Sequence, residues 1–178
     1  MLNALIQSKT RLKLLLRFFL NPESTAYLRG LAEEFDENTN SVRIELNRFE
    51  EAGLLSASKQ GNKKIFRVNP EFPMFSELQK IAMRHFGIDQ IVDQIIHKLG
   101  DLDAVYLTGD LARGLDTPIV DLTLIGKEVD TIYLARLVEK AEGLIDKKIR
   151  TVVYQNGDKA VIEEPKLLIF GQNNFVNG

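Results

Sequence analysis

The sequence predicts an α/β protein of two domains. A helical amino-terminal domain ends in a β-hairpin, a helical connector follows, and a small α/β domain with a mixed sheet completes the chain. Three observations carry this. Up to about residue 52, apolar residues recur at three- and four-residue spacing, the helical period. Two strand-like runs then flank Gln60-Gly61-Asn62, a hairpin signal. Beyond Gly100, strand-like runs alternate with one long helical stripe.

Taken in order, Ser8 caps a first helix on which Leu12, Leu15, Leu16 and Phe19 make a one-faced stripe, and Asn21-Pro22 ends it. A second helix is expected over Leu28–Phe35, with Leu28, Leu31, Ala32 and Phe35 inward. Asp36-Glu37 makes a tight turn. Asn38 then caps a third helix that runs to about Ala52, with Val42, Leu46 and Phe49 inward and Gly53 as its stop. The hairpin strands are Leu54–Lys59 and Lys63–Val68. Pro70 and Pro73 punctuate the chain before an amphipathic helix carrying Phe75, Leu78, Ile81, Ala82 and Phe86. Gly87 breaks it, and Ile91, Val92, Ile95, Ile96 and Leu99 stripe the next helix as far as Gly100. Strands are expected at Ala104–Leu107 and Ile119–Ile125. Asp130 caps a helix with Leu134, Leu137, Val138, Ala141 and Leu144/Ile145 inward. Lys148–Tyr154, Ala160–Ile162 and Leu167–Phe170 finish as strands, and residues from Gln172 onward are expected to be loose. The domains are therefore placed at 1–70, 71–88 (connector) and 89–178.

Composition narrows the function. The 178 residues are 44% hydrophobic and 27% charged, ordinary for a soluble globular protein. The densest apolar run, LKLLLRFFL at 12–20, is interrupted by Lys13 and Arg17 and falls well short of the ~18 residues of a membrane span. No signal peptide and no membrane partner are expected, and the location is expected to be cytoplasmic. The absence of cysteine excludes disulfides, thiol nucleophiles and thiolate metal sensing. His85 and His97 are isolated on helix patterns and are read as packing or surface residues, so no metal site is expected. Residues 1–70 hold 11 Lys/Arg against 8 Asp/Glu, whereas residues 71–178 hold 12 against 17. A basic first part beside an acidic second part suggests that a polyanion meets only the first.

Three helices and a hairpin, with a short turn between the second and third helices, is the order of a winged helix-turn-helix. The stretch YLRGLAEEFDENTNSVRIELNRFEEAGLL resembles the ArsR-type and MarR-type bacterial transcription regulators. The shared pattern is Leu31-Ala32, the cap Asn38, Val42, Glu45-Leu46 and Ala52-Gly53-Leu54, and the resemblance covers about 70 residues. With Val42, Leu46 and Phe49 inward, Thr39, Asn40, Arg43 and Asn47 face outward. Arginine can donate twice to guanine and asparagine can pair with the adenine edge. Thr39 suits a phosphate or a thymine methyl, and Asn38 sits at a helix amino terminus that favours phosphate. Lys59, Lys63, Lys64 and Arg67 on the hairpin are positioned for backbone phosphates. Glu45, Glu50 and Glu51 would repel phosphate, and their late position on the helix is expected to keep them away.

The second signature is TGDLARGLDTPIVDLTLIG, Thr108 to Gly126. Residues 102–154 resemble the minimal nucleotidyltransferase domain of the DNA-polymerase-β-like fold. That family's motif is Gly-Ser, a nearby Arg-Gly, Asp-x-Asp on the next strand, and a third carboxylate on a later strand. The matching positions are Gly109, Arg113-Gly114 and Asp121. The resemblance implies two Mg²⁺ ions held by carboxylates and clamping the attacking and leaving oxygens. This chain departs from the pattern. Asp110 stands where the serine belongs and Thr123 where the second acid belongs, and KIRTVVY at 148–154 has no acid. Asp110 and Asp116 could partly compensate for the lost acids, but neither lies at the strand position that the family uses.

The expectation is a DNA-binding transcriptional regulator acting on double-stranded DNA as a homodimer. Its second domain is expected to be catalytically inactive, to carry no cofactor, and to sense a small-molecule or nucleotide effector or hold a protein. Arg113 could meet a nucleotide, but Asp110 would repel its phosphates, so binding of a nucleoside triphosphate with Mg²⁺ is expected to be weak or absent. The apolar faces of the first helix and of Phe75–Phe86 are the dimer candidates. The competing expectations are an active nucleotidyltransferase targeted by its winged helix, and a protein-interaction scaffold.

Overall fold

The computed structural model describes residues 2–155, 158 and 160–172. Packing divides the chain into two compact units, Met1–His85 and Phe86–Gly178. The expectation for the chain end beyond Gln172 lies outside the described residues.

In the first unit, a short α1 (Leu2–Leu5) precedes α2 (Lys9–Leu20). The Ser8 hydroxyl accepts the Arg11 N–H at 3.2 Å, which satisfies a backbone donor that the new helix leaves open. At the far end Asn21 is extended, as a residue before proline must be, and α2 stops there. The stripe on α2 is wider than expected. Leu14, Phe18 and Leu20 are as buried as Leu12, Leu15, Leu16 and Phe19, so the helix is wrapped rather than one-faced. A fully buried phenylalanine such as Phe18 contributes about 2–3 kcal/mol of apolar burial.

α3 (Leu28–Phe35) ends at Asp36, which takes the left-handed conformation, φ 52°. Two residues later Asn38 opens α4 (Thr39–Glu51) by accepting the Ser41 N–H at 2.9 Å. Val42, Leu46 and Phe49 are buried as the spacing predicts, and Gly53, φ 77°, releases the chain from the helix.

β2 (Leu55–Gln60) and β3 (Lys63–Val68) form the expected hairpin across Gly61-Asn62. A strand that the sequence pattern did not announce, β1 (Thr25–Tyr27), adds to the other edge of β3, giving an antiparallel sheet of order β1-β3-β2. α5 (Phe75–His85) packs on α2, where the Phe75 and Phe19 rings lie 5.9 Å apart. Its inner face is narrower than predicted, because Ile81 is 40% exposed and Ala82 is the fully buried residue.

The second unit opens with α6 (Ile88–Ile91), which runs without a break through a π-helical stretch, Val92–Ile96, into α7 (His97–Leu99). Ile91, Ile95 and Ile96 are buried, as predicted from the stripe. β4 (Leu102–Thr108) is followed by a single helical turn, α8 (Gly109–Ala112), then β5 (Ile119–Gly126), α9 (Thr131–Ile145), β6 (Lys148–Tyr154) and β7 (Lys166–Gly171). β4 is antiparallel to β5 and β7, and β5 is parallel to β6 through the α9 crossover. The chain is thus α/β, with a mixed sheet of order β6-β5-β4-β7.

Alternation along the strands sorts the sheet into two faces. Val120, Leu122 and Leu124 point to one, with Val105 and Leu107 beside them. The helices lie against the sheet, α9 touching β6 and the 92–96 stretch touching both α9 and β7. Asp121, Thr123 and Ile125 point to the opposite face. Ala160–Ile162, expected as a strand, is irregular backbone instead. Its side chains decide its course: Ala160 and Ile162 pack on Ala104, Tyr106 and Ile125 and cover that end of the second face without pairing to the sheet.

Candidate functional site

Two sites were singled out from the sequence, one in each unit. On α4, Asn38, Thr39, Asn40, Arg43 and Asn47 are all exposed. Thr39, Arg43 and Asn47 are four residues apart and share a face. Arg43 and Asn47 have no hydrogen bond or ion pair among the described residues, so their donors are available to a partner.

The hairpin cations do not form one cluster. Register places Lys59 opposite Lys64, and by the pleat both share the face of Phe66 and Val68. Lys64 pairs with Glu50 of α4 and lies over the Phe66 ring. Lys63 and Arg67 are on the other face. There Lys63 caps the Tyr27 ring at 4.2 Å, and Arg67 donates to the Ser56 hydroxyl at 3.3 Å.

Glu45 is the residue that sequence reasoning misjudged. It stands at mid-helix, the seventh of the 13 residues of α4, and burial is what keeps it from outside partners, at 6% exposure. It accepts from the Ser8 hydroxyl at 3.1 Å and from Arg11 at 2.9 Å, and Arg48 approaches at 3.1 Å. Burial pushes the Glu45 carboxyl up, but these hydrogen bonds and the two guanidinium charges outweigh it and hold it below the usual carboxylate range. Glu37, in the turn before α4, behaves likewise. Burial raises it, but hydrogen bonds from the Thr10 hydroxyl and Lys13 win and lower it. α2 is thereby tied to the turn and to α4 by two carboxylates. An acid immediately before a helix cap, and one at a polar-looking helix position with an Arg three residues on, are the only sequence signals of this.

In the second unit the motif residues gather at the open end of the second sheet face. Gly109 begins α8 with φ 69°, a conformation that side chains rarely adopt, and a Cβ there would stand 2.8 Å from Asp121 Oδ2. Glycine is needed on both counts. Gly114, φ 82°, is buried and closes the same turn, its N–H donating to Leu111 O at 2.8 Å. Thr123 is buried, two residues along β5 from Asp121. Asp110 points away, 68% exposed, with Arg113 Nη1 at 3.9 Å. Asp116 is held by Lys147 at 2.7 Å. Neither of the two expected substitutes joins Asp121.

Arg150 joins it instead. Parallel pairing sets Arg150 beside Asp121, and its guanidinium binds the carboxylate through both oxygens, Nε to Oδ1 at 2.6 Å and Nη2 to Oδ2 at 2.9 Å. This hydrogen-bonded charge pair raises the Arg150 pKa further. The arginine was visible in KIRTVVY, but only the register shows that it falls next to Asp121. A cleft of about 620 Å³ lies over this pair, bounded by Thr108, Thr123, Val152, Tyr154 and Glu163 among others.

Among the described residues no group of three or more His, Asp or Glu is placed to hold a metal. His97 stands 3.4 Å from Asp93, one turn earlier on its own helix. Among the same residues no helix is long and apolar enough to cross a membrane. No protein-family model matches the chain, and no curated protein or solved structure matches it significantly.

Proposed function

We propose that this chain is a DNA-binding transcription regulator whose second unit is a transfer-inactive, nucleotidyltransferase-like domain serving ligand sensing or protein interaction. The first unit is read as a winged helix-turn-helix, with α3 and α4 as its helix pair, α4 in the major groove and the hairpin as the wing. The observation that carries this is the α4 face, on which Thr39, Asn40, Arg43 and Asn47 are exposed and the arginine and Asn47 are unpartnered within the described chain. These are the side-chain types that can read base edges in a major groove, and no internal contact among the described residues occupies Arg43 or Asn47. Lys59 and Lys63 supply phosphate contacts on either side of the wing. A cytoplasmic location accompanies this reading.

Of the two expected dimer faces, one is favoured. The apolar residues of α2 are consumed inside the protein, whereas Ile81 on α5 is 40% exposed and Met74, just before that helix, 55%, so the Phe75–Phe86 face is the better candidate. In the second unit, the Asp121–Arg150 pair supports the inactive reading over an active transferase. A guanidinium bound bidentately to the one remaining motif carboxylate competes with a metal ion for the same oxygens.

Selection of duplexes from a random pool tests the regulator reading. The expected result is an enriched motif of two half-sites about one helical turn apart. Arg43→Ala should relax one position of each half-site, at a cost of about 1–3 kcal/mol. A pool that stays flat would sink the reading.

A further inference from the structure

We infer that the open half of the second unit's sheet face binds a small primary amine, an inference that rests on this unit not being a nucleotide-transfer site. The face is divided in two. At one end Ala160 and Ile162 seal it against Tyr106 and Ile125. At the other the floor is bare, and the cleft of about 620 Å³ lies over it, a size suited to a small molecule.

Thr123 is the first pointer to an occupant. It is only 6% exposed and lines the cleft, and its hydroxyl has no hydrogen-bond partner among the described residues. Its oxygen opens onto the cleft rather than being sealed off, so the cleft is where a partner would come from.

Glu163 is the second. It borders the same cleft and has no ion-pair partner among the described residues. The other charges there are balanced: Asp121 by Arg150, and Glu164 by Lys166 at 2.9 Å. Among the described residues the cleft therefore presents one uncompensated negative charge. That charge attracts an ammonium group and repels a phosphate or carboxylate. Val152 and Val161, 53% and 68% exposed, offer apolar wall to the body of the ligand. The occupant these groups describe has a cationic nitrogen for Glu163, a hydrogen-bonding group for Thr123 and an apolar portion between them.

The test uses the full chain and two probes that share a phenol ring and differ in charge, tyramine and 3-(4-hydroxyphenyl)propionate, with MgATP as a third. Backbone amide resonances of Thr123, Val152 and Val161 are followed during titration. Tyramine should shift them saturably at millimolar concentration, and the propionate should leave them in place. Glu163→Gln, an exposed substitution that does not touch the core, should weaken tyramine about fivefold or more, and Thr123→Val should weaken it as well. Equal response to both phenols, shifts confined to other residues, an unchanged affinity in Glu163→Gln, or silence with all three probes would each overturn the amine site alone. MgATP shifting these resonances would overturn the amine site, and nucleotidyl transfer from it, lost in Asp121→Asn, would overturn the transfer-inactive reading beneath.

Discussion

Glu45 and Asp121 are each claimed by arginine, with different consequences. Glu45 is buried, so its pairing is a stability matter. Its folded pKa is depressed, as is that of Glu37. A depressed carboxyl contributes stability above its unfolded pKa of about 4.3, and that contribution is lost as pH falls through the lower folded value. Chemical unfolding of the first unit at pH 7 should show Glu45→Gln destabilised by about 1–3 kcal/mol. The lower end is favoured because Arg11 and Arg48 stay partly solvated once released. Repeated down to acid pH, the gap between native and variant should close. A gap that stays constant with pH would show that the carboxyl's charge is not what stabilises α2 against α4. Gly109 gives a second prediction. Gly109→Ala forces an alanine into φ 69° and its Cβ against Asp121 Oδ2, so the thermal midpoint should fall by the equivalent of about 1–3 kcal/mol. An unchanged midpoint would mean that the α8 turn relaxes freely.

Among the elements, what was legible in the sequence is what is local. The caps Ser8, Asn38 and Asp130 act within three residues, and all three accept the N–H that the capping pattern assigns them. The Gly61-Asn62 turn is likewise written in adjacent residues. β1 escaped because three residues carry no period, and its partner strand lies some forty residues onward. Ala160–Ile162 failed in the opposite sense. Its apolar alternation reports packing on the sheet face, and nothing in the segment distinguishes covering a sheet from joining it. Arg150 escaped for a related reason, since only the β5–β6 register sets it beside Asp121. The motif positions of β5 and β6 give an element-scale prediction. If these strands keep the nucleotidyltransferase arrangement, the T123D/R150D variant should bind Mn²⁺ more tightly than the native chain, read by electron paramagnetic resonance. A folded double variant with no added Mn²⁺ affinity would show that the strands do not set three carboxylates around one ion.

For the whole molecule, the charge asymmetry is consistent with a division of labour. The basic excess lies in residues 1–70 and the acidic excess beyond, and on the proposed reading a polyanion is drawn to the first unit alone. The structure refines the count. Arg11, Lys13, Arg17, Arg48 and Lys64 are spent on internal carboxylates, so the charge available to DNA rests on fewer side chains than the composition suggests, chiefly Arg43, Lys59, Lys63 and Arg67. The salt dependence of binding should accordingly be that of a few phosphate contacts per protomer rather than of every cation in the unit.

The measurement that tests the central claim most directly is fluorescence anisotropy of the selected duplex across a range of salt, with the native chain and Arg43→Ala side by side. The account predicts an affinity that falls linearly on a log–log plot against salt. It also predicts that Arg43→Ala loses discrimination between the selected and a scrambled duplex while keeping nearly the same slope, because Arg43 reads a base and the wing lysines hold the phosphates. Salt-insensitive binding, or an Arg43→Ala variant that still discriminates as well as the native chain, would contradict it.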